Sequence, residues 1–510
     1  MNRTRIGVAT CAVCLLIIVG SAAAQTDPPG IPHWAAIVHQ LSLRTHDKGS
    51  GGGAPGVFPR VIPRKFRADD PTGMVETYNL NAPTHTARNA FFQSLGTNGR
   101  ACATCHEPRS AWGVSAQSIQ QRFEQSHGTD PIFRLVDGAT CDTDNVSTLA
   151  DKRTAYSLLL SKGLIRIFLP LPATQLKSTP PMPRDYEIVG VKDPYGCTDL
   201  TSNPAIASVY RRPLVAANLR FLTECPGGES TCTPLSIMWD GREASLQSQA
   251  VDATLGHAQA VNAPSDGQVG QMVDFETLIY DGQIYDDAAG YLDKKGARGG
   301  PDYLSDQSFF IGINDSLSAG FDNAVFSLYD AWQNLAGSHG ESAARGSIAR
   351  GEALFNSKQF TISDVGGLNG RPGDPLGNTP AQGFCTTCHD SPNVGNHSKV
   401  LPLNIGVADT NPPNLDASGL PVFTVQCTGG PLMGQTFEVT DLGRALISGK
   451  CTDVGKFKGP ILHGLAARAP YFHNGTAATL EDVVNFYNQR FSIGLTDQEK
   501  NDLVAFLSAL

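Results

Sequence analysis

Cys102-Ala-Thr-Cys105-His106 and Cys385-Thr-Thr-Cys388-His389 repeat one pattern, C-x-x-C-H, twice in a chain of 510 residues. Two thiols at i and i+3 can add across the two vinyl groups of a porphyrin, and the adjacent histidine is then held where it ligates iron. Zinc is the competing reading, since the motif offers three zinc-type ligands, but each site then needs a fourth. Two c-type haem attachment sites therefore constrain the fold more than any other feature. His106 and His389 are the expected iron ligands, and Cys102, Cys105, Cys385 and Cys388 the thioether anchors.

The N-terminus sets the compartment. Arg3 and Arg5 precede an apolar run from Ile6 to Val19, and Ala22-Ala23-Ala24 supplies a cleavage pattern, so residues 1–24 read as a signal peptide. The run is short for a membrane span, and no later segment is longer. A periplasmic or secreted protein with no membrane span after cleavage is expected. The formal charge of −9 becomes −11 without the two arginines, which argues against nucleic acid as a partner. Six cysteines remain outside the signal and the haem motifs. In an oxidising compartment they read as three disulfides, nearest-neighbour pairing giving Cys141–Cys197, Cys225–Cys232 and Cys427–Cys451.

The chain reads as internally duplicated. An apolar helical face at Ala90, Phe91, Phe92 and Leu95 leads into the first motif, and one at Ile348, Gly351, Leu354 and Phe355 into the second. Thr479-Leu-Glu-Asp482 and Thr496-Asp-Gln-Glu499 cap two closing helices. Further helical patterns lie near Met272–Ile279 and Phe321–Trp332, within the 278 residues that separate His106 from Cys385. The expected fold is mainly α, with two cytochrome c-like haem domains and long loop-rich insertions. Its divisions are an irregular extension over 25–75, a first haem domain over 76–345 carrying the disulfide-bearing insertion, and a second over 346–510.

With these residues in place, the chain resembles the bacterial di-haem cytochrome c peroxidases and the related MauG enzymes. Arg211-Arg-Pro-Leu-Val-Ala-Ala-Asn218 with Trp239-Asp-Gly-Arg242 is similar to an Asn-x-Pro…Trp-Asp-Gly-Arg block. Phe275-Glu276 resembles a central Phe-Glu helix, and Pro470-Tyr-Phe-His-Asn-Gly475 a C-terminal signature. The resemblance implies that the first haem faces hydrogen peroxide or dioxygen and that the second passes electrons from a small redox protein. It places a distal ligand of the second iron at Tyr487, where a phenolate lowers the haem potential. Ser248 stands where the resemblance puts an acid–base glutamate, which leaves Asp252 and His257 as replacement proton donors. Trp239 and Arg242 complete the expected catalytic set. Trp112 and Trp239 are candidate stepping stones between haems, and His127 a candidate distal ligand that reads better as an exposed loop histidine. Family members often hold a calcium ion between their two domains, although no compact acidic loop marks one here. The implied function is peroxide reduction, or peroxide-driven substrate oxidation by inter-haem electron transfer. An oxygen-dependent di-haem oxygenase and a non-enzymatic electron carrier are the alternatives.

Overall fold

The computed structural model describes residues 58–172, 184–198, 200, 206–225, 234–335 and 339–510. The expected signal peptide, most of the N-terminal extension and Cys232 lie outside them. Six helices of ten or more residues carry the haem-motif architecture: α1 (Ala116–Ser126), α2 (Leu246–Gly256), α3 (Asp266–Leu278), α4 (Gly340–Ser357), α5 (Leu480–Arg490) and α6 (Asp497–Ser508). Thr479 and Thr496 cap α5 and α6 as their sequences predict, each with a reciprocal bond from the side chain three residues on. Helix α4 crosses α6 at Gly351, where any Cβ would overlap the Asp502 carbonyl oxygen.

The expectation of a mainly α fold is not met: 30% of the structure is helix and 18% strand. The strands come largely from regions expected to be irregular. Lys65–Asp70, within the predicted extension, pairs with Gly73–Asn79, which straddles its end and pairs in turn with Ile279–Asp286; Gly290–Tyr291 completes this four-stranded antiparallel sheet. Val422–Cys427 pairs on one side with Thr436–Val439 and on the other with Tyr186–Lys192. Phe423, Val425 and Cys427 alternate inward along it, the period of two that a half-buried strand requires. This sheet joins segments from either side of the predicted domain boundary at 345, so the two halves interleave. The same core gathers Phe123, Ile167 and Val209 with Leu442, Leu446 and Val454.

Two helical expectations also shorten. Ala90–Phe92 is a single 3-10 turn, and of Phe321–Trp332 only Asp330–Trp332 is helical. Cys141–Cys197 and Cys427–Cys451 are disulfides with Cα–Cα distances of 5.5 and 5.7 Å. Cys225 is disulfide-bonded as well. The free cysteines among the described residues are Cys102, Cys105, Cys385 and Cys388, the four of the haem motifs.

Candidate haem sites

Both motifs fold as one 3-10 turn with the same internal bonds. Thr104 Oγ1 accepts from the Ala101 N–H at 2.9 Å, and Thr387 Oγ1 from the Phe384 N–H at 2.9 Å. His106 Nδ1 donates to the Trp112 carbonyl at 3.0 Å, and His389 Nδ1 to the Gly395 carbonyl at 2.6 Å, each six residues downstream. The carbonyl fixes the tautomer and leaves Nε2 with its lone pair, as a metal-ligating histidine needs. Burial lowers both imidazoles, His106 to about 4, so they stay neutral. Phe91 tilts against His106 with ring centres 6.3 Å apart, and Phe355 against His389 at 5.8 Å. Burial also raises all four thiols, Cys385 and Cys388 to about 12. A zinc site asks for thiolates, so this apolar setting suits thioethers better.

The repeat extends to the distal helices at a constant offset of 234 residues (238 to 472, 241 to 475, 245 to 479). Met238 and Phe472 share positive φ values of 68° and 65°, and Gly241 and Gly475 share 71° and 62°. Isolated bridges tie Ile237 to Glu243 and Tyr471 to Ala477. Ser245 with Ser248 caps α2 just as Thr479 with Asp482 caps α5. In the second half, Leu480, Val483, Val484, Tyr487 and Phe491 line an apolar cavity of about 210 Å³ together with Cys385, Cys388 and His389. Their counterparts on and after α2 are Leu246, Gln249, Ala250, Ala253 and His257.

This register sorts the sequence-derived candidates. Tyr487 shares the cavity with His389, and its hydroxyl has no hydrogen-bond partner among the described residues. Burial, then the Cys388 and Cys385 sulfurs, push its phenol above the usual range. Ala253 occupies the matching place in the first half and offers no ligand atom. Ser248 is the reciprocal partner of the N-cap Ser245: its hydroxyl donates to the Ser245 carbonyl at 2.9 Å and accepts the Ser245 N–H at 3.2 Å. Asp252 is exposed and interacts with Glu243, whose carboxyl is raised by burial and by Asp252. His257 is bound through Nδ1 to Asp137 at 2.5 Å. Arg242 holds both oxygens of Asp240 at 3.1 Å. His127 ends α1 in a left-handed conformation, its Nδ1 on the Glu124 carbonyl.

Trp112 is wholly buried among Phe91, Phe92 and Phe275, its indole N–H on Thr77. Trp239 is different: it comes from the first half and lines the second cavity, 6.2 Å from the His473 ring. These two residues are equivalent in the repeat, and their carbonyls are used reciprocally. Arg212 N–H donates to the His473 carbonyl at 2.7 Å, and Lys458 N–H to the Trp239 carbonyl at 3.0 Å.

Three buried cations on this cavity were not legible in the sequence. Arg212 bonds only to the carbonyls of Lys162, Val114 and Arg468, and Arg468 leaves Nε unpartnered. Lys458 has no ion pair among the described residues. Burial lowers them to about 9, 10 and 8 respectively. Cations buried without carboxylates are costly unless a bound anion completes the site. Haem propionates have that charge, so the donor set fits the group implied by the C-x-x-C-H motifs. Calcium fits less well. Among the described residues the one cluster of three metal-type side chains is Cys141, Asp142 and Cys197, and its two cysteines are bonded to each other. The buried carboxylates of Asp240 and Asp441 are bridged by Arg211 instead.

A family described as RoxA-like, cytochrome c-like matches residues 456–493, the stretch that runs from the cavity wall through His473 and Tyr487. Cytochrome-c peroxidase IdrP2 of Denitromonas iodatirespirans is 35% identical over 160 residues, 30% of this chain and 42% of that protein. Cytochrome-c peroxidase IdrP1 of the same organism is 46% identical over 69 residues, 11% of this chain and 18% of that protein. In these stretches the chain is similar to cytochrome-c peroxidases and to the RoxA-like, cytochrome c-like family. The chain spans less than half the length of these relatives. A solved MauG-like protein associated with microbial copper homeostasis aligns over 89% of this chain and 94% of its own, at 15% identity and a TM-score of 0.36.

Proposed function

We propose that this chain is an exported di-haem c-type oxidoreductase that reduces hydrogen peroxide at the first haem and receives electrons through the second. The observation that carries this reading is the unequal repeat: Tyr487 faces the second cavity and Ala253 stands at its counterpart in the first. One iron site can therefore be closed from both sides while the other keeps an open position, which a peroxide-reactive centre requires. Haem, when bound, supplies the one-electron chemistry and the peroxide-binding iron. The chain holds His106 and His389 neutral and oriented, keeps water from the second site with apolar residues, and meets propionate charge with Arg212, Lys458 and Arg468. Trp239 lies where one half touches the cavity of the other, which suits it to carry electrons between them. No helix among the described residues is long and apolar enough to cross a membrane.

An oxygen-using reading has one observation in its favour: Ser248 serves the capping box of α2 and Asp252, exposed, is turned to Glu243. The two are separated by mixing haem-loaded protein with a reduced small c-type cytochrome. Cytochrome oxidation that depends on peroxide supports the first reading. No reaction with peroxide, with oxygen binding to the reduced first haem, supports the second.

A further inference from the structure

We propose that Glu276 is a proton site coupled to the first haem, taking up one proton from solvent as that haem takes up one electron and releasing it on reoxidation. The inference rests on the reading of Cys102, Cys105 and His106 as a haem site. Glu276 lies on α3, 5% exposed, and its Oε2 has no partner. Met272, one turn earlier on the same face, places Sδ 3.9 Å from Cys102 Sγ, and the Glu276 charge acts on that sulfur.

The repeat gives independent placement. Phe275 packs on Phe91 at 4.8 Å as Phe506 packs on Phe355 at 5.6 Å, so α3 corresponds to α6 and Glu276 to Leu507. Leu507 lines the second haem cavity. The fold accepts leucine there, so packing does not demand the acid. A lone carboxyl in an apolar wall is costly when ionised, and its charge is felt strongly across so low a dielectric.

No countercharge faces it. Burial is the sole cause that raises its carboxyl, to about 8. The turn Ala90–Phe92 is apolar. On α2, Asp252 turns to Glu243, and His257 beyond it is held by Asp137. Asp281, on the strand that follows α3, bonds Thr77, and Asp274 on α3 itself is exposed. Cys102 no longer titrates once it is a thioether. Glu276 is therefore a buried carboxyl without a countercharge beside Cys102, placed to compensate an electron added to the iron. The electron comes from the one-electron donor, and the charge balance is one proton per electron.

The test is the reduction potential of the first haem in haem-loaded protein, followed from pH 6 to 10 by its absorption spectrum. The wild-type potential should fall as pH rises, approaching a tenfold change per pH unit, about 59 mV, across the window between the oxidised- and reduced-state pKa values. Glu276→Gln should flatten that slope and leave the second haem unchanged. Glu276→Leu, the residue used in the second half, is the alternative neutral variant if Gln disturbs folding. A flat wild-type profile, or a slope that survives in the neutral variant, overturns the proposal. Absence of haem at Cys102 and Cys105 would instead overturn the functional reading on which it rests.

Discussion

Replacing Arg211 with methionine removes the one cation between two buried carboxylates contributed by the two halves. Its Nη1 donates to Asp240 at 2.5 Å, and its Nε and Nη2 to Asp441 at 2.7 and 2.9 Å. All three side chains are at most 2% exposed. Burial alone would raise the Asp240 carboxyl, but Arg211 and Arg242 outweigh it and hold the group below its usual range. In the variant Asp240 keeps Arg242, whereas Asp441 keeps chiefly the Gly443 N–H at 2.7 Å. Breaking a buried pair by removing one partner costs about 3–5 kcal/mol, a large share of a typical 5–15 kcal/mol stability. Because Arg242 still serves Asp240, the lower end, about 3 kcal/mol, is expected at pH 7. The sign of the pH dependence follows from the carboxylates. Wild-type stability from Asp240 is present above the unfolded pKa and is lost only as pH falls through its depressed folded value. In the variant Asp240 keeps only Arg242, so its carboxyl is held down less, and less stability is lost as pH falls below the usual carboxylate range. The gap should therefore narrow on acidification, by up to about 1.4 kcal/mol per pH unit. Guanidinium unfolding of both haem-loaded proteins at pH 7 and 3 measures it. A loss below about 1 kcal/mol at pH 7, or one unchanged at pH 3, would refute the reasoning.

Intact-mass spectrometry should find two haems in the mature protein and one in either the Cys102→Ala/Cys105→Ala or the Cys385→Ala/Cys388→Ala variant; loss of both from one variant would contradict independent sites. Tyr487→Phe should change the coordination or spin state of the second haem and leave the first alone, and an unchanged spectrum would reduce Tyr487 to packing. Ser248→Glu keeps an acid-type partner in the capping box, as Asp482 does on α5 without lining the second cavity, so peroxide turnover should stay near wild type. A gain approaching the about 10²–10⁴-fold worth of an acid–base group would show that position 248 reaches the haem. Cys427→Ala with Cys451→Ala opens a loop of sequence separation 24, and should cost about 3 kcal/mol in chemical denaturation.

What the sequence made legible were features written locally. The C-x-x-C-H pairs, the caps at Thr479 and Thr496 and the inward face carrying Tyr487 depend on spacings of a few residues, and the pairing of Cys141 with Cys197 and of Cys427 with Cys451 joins sequence-neighbouring cysteines. The strands were not legible because their partners are remote: Gly73–Asn79 pairs with Ile279–Asp286, some two hundred residues on. Gly- and Pro-rich flanks hid short alternating runs such as Val422–Cys427. The buried cations escaped for a similar reason. Arg212 and Lys458 look like surface charges until the reciprocal bonds to His473 and Trp239 draw both into the interior. Ser248 was read against an expected glutamate, whereas its local geometry is the capping box visible in Ser245-Leu-Gln-Ser248. Glu276 left two signals, the Phe275-Glu276 resemblance and an acid in the apolar pattern of Met272, Phe275 and Ile279.

The central claim is that two haems sit in one repeated frame, the second closed by Tyr487 and the first open beside Ala253. Electron paramagnetic resonance of the oxidised haem-loaded protein, recorded before and after one equivalent of peroxide is added to the reduced form, tests it most directly. The account predicts one high-spin, five-coordinate signal assigned to the first haem by its loss in Cys102→Ala/Cys105→Ala, a separate six-coordinate signal altered by Tyr487→Phe, and oxidation of both reduced haems by that single equivalent. Two six-coordinate signals indifferent to peroxide would contradict it.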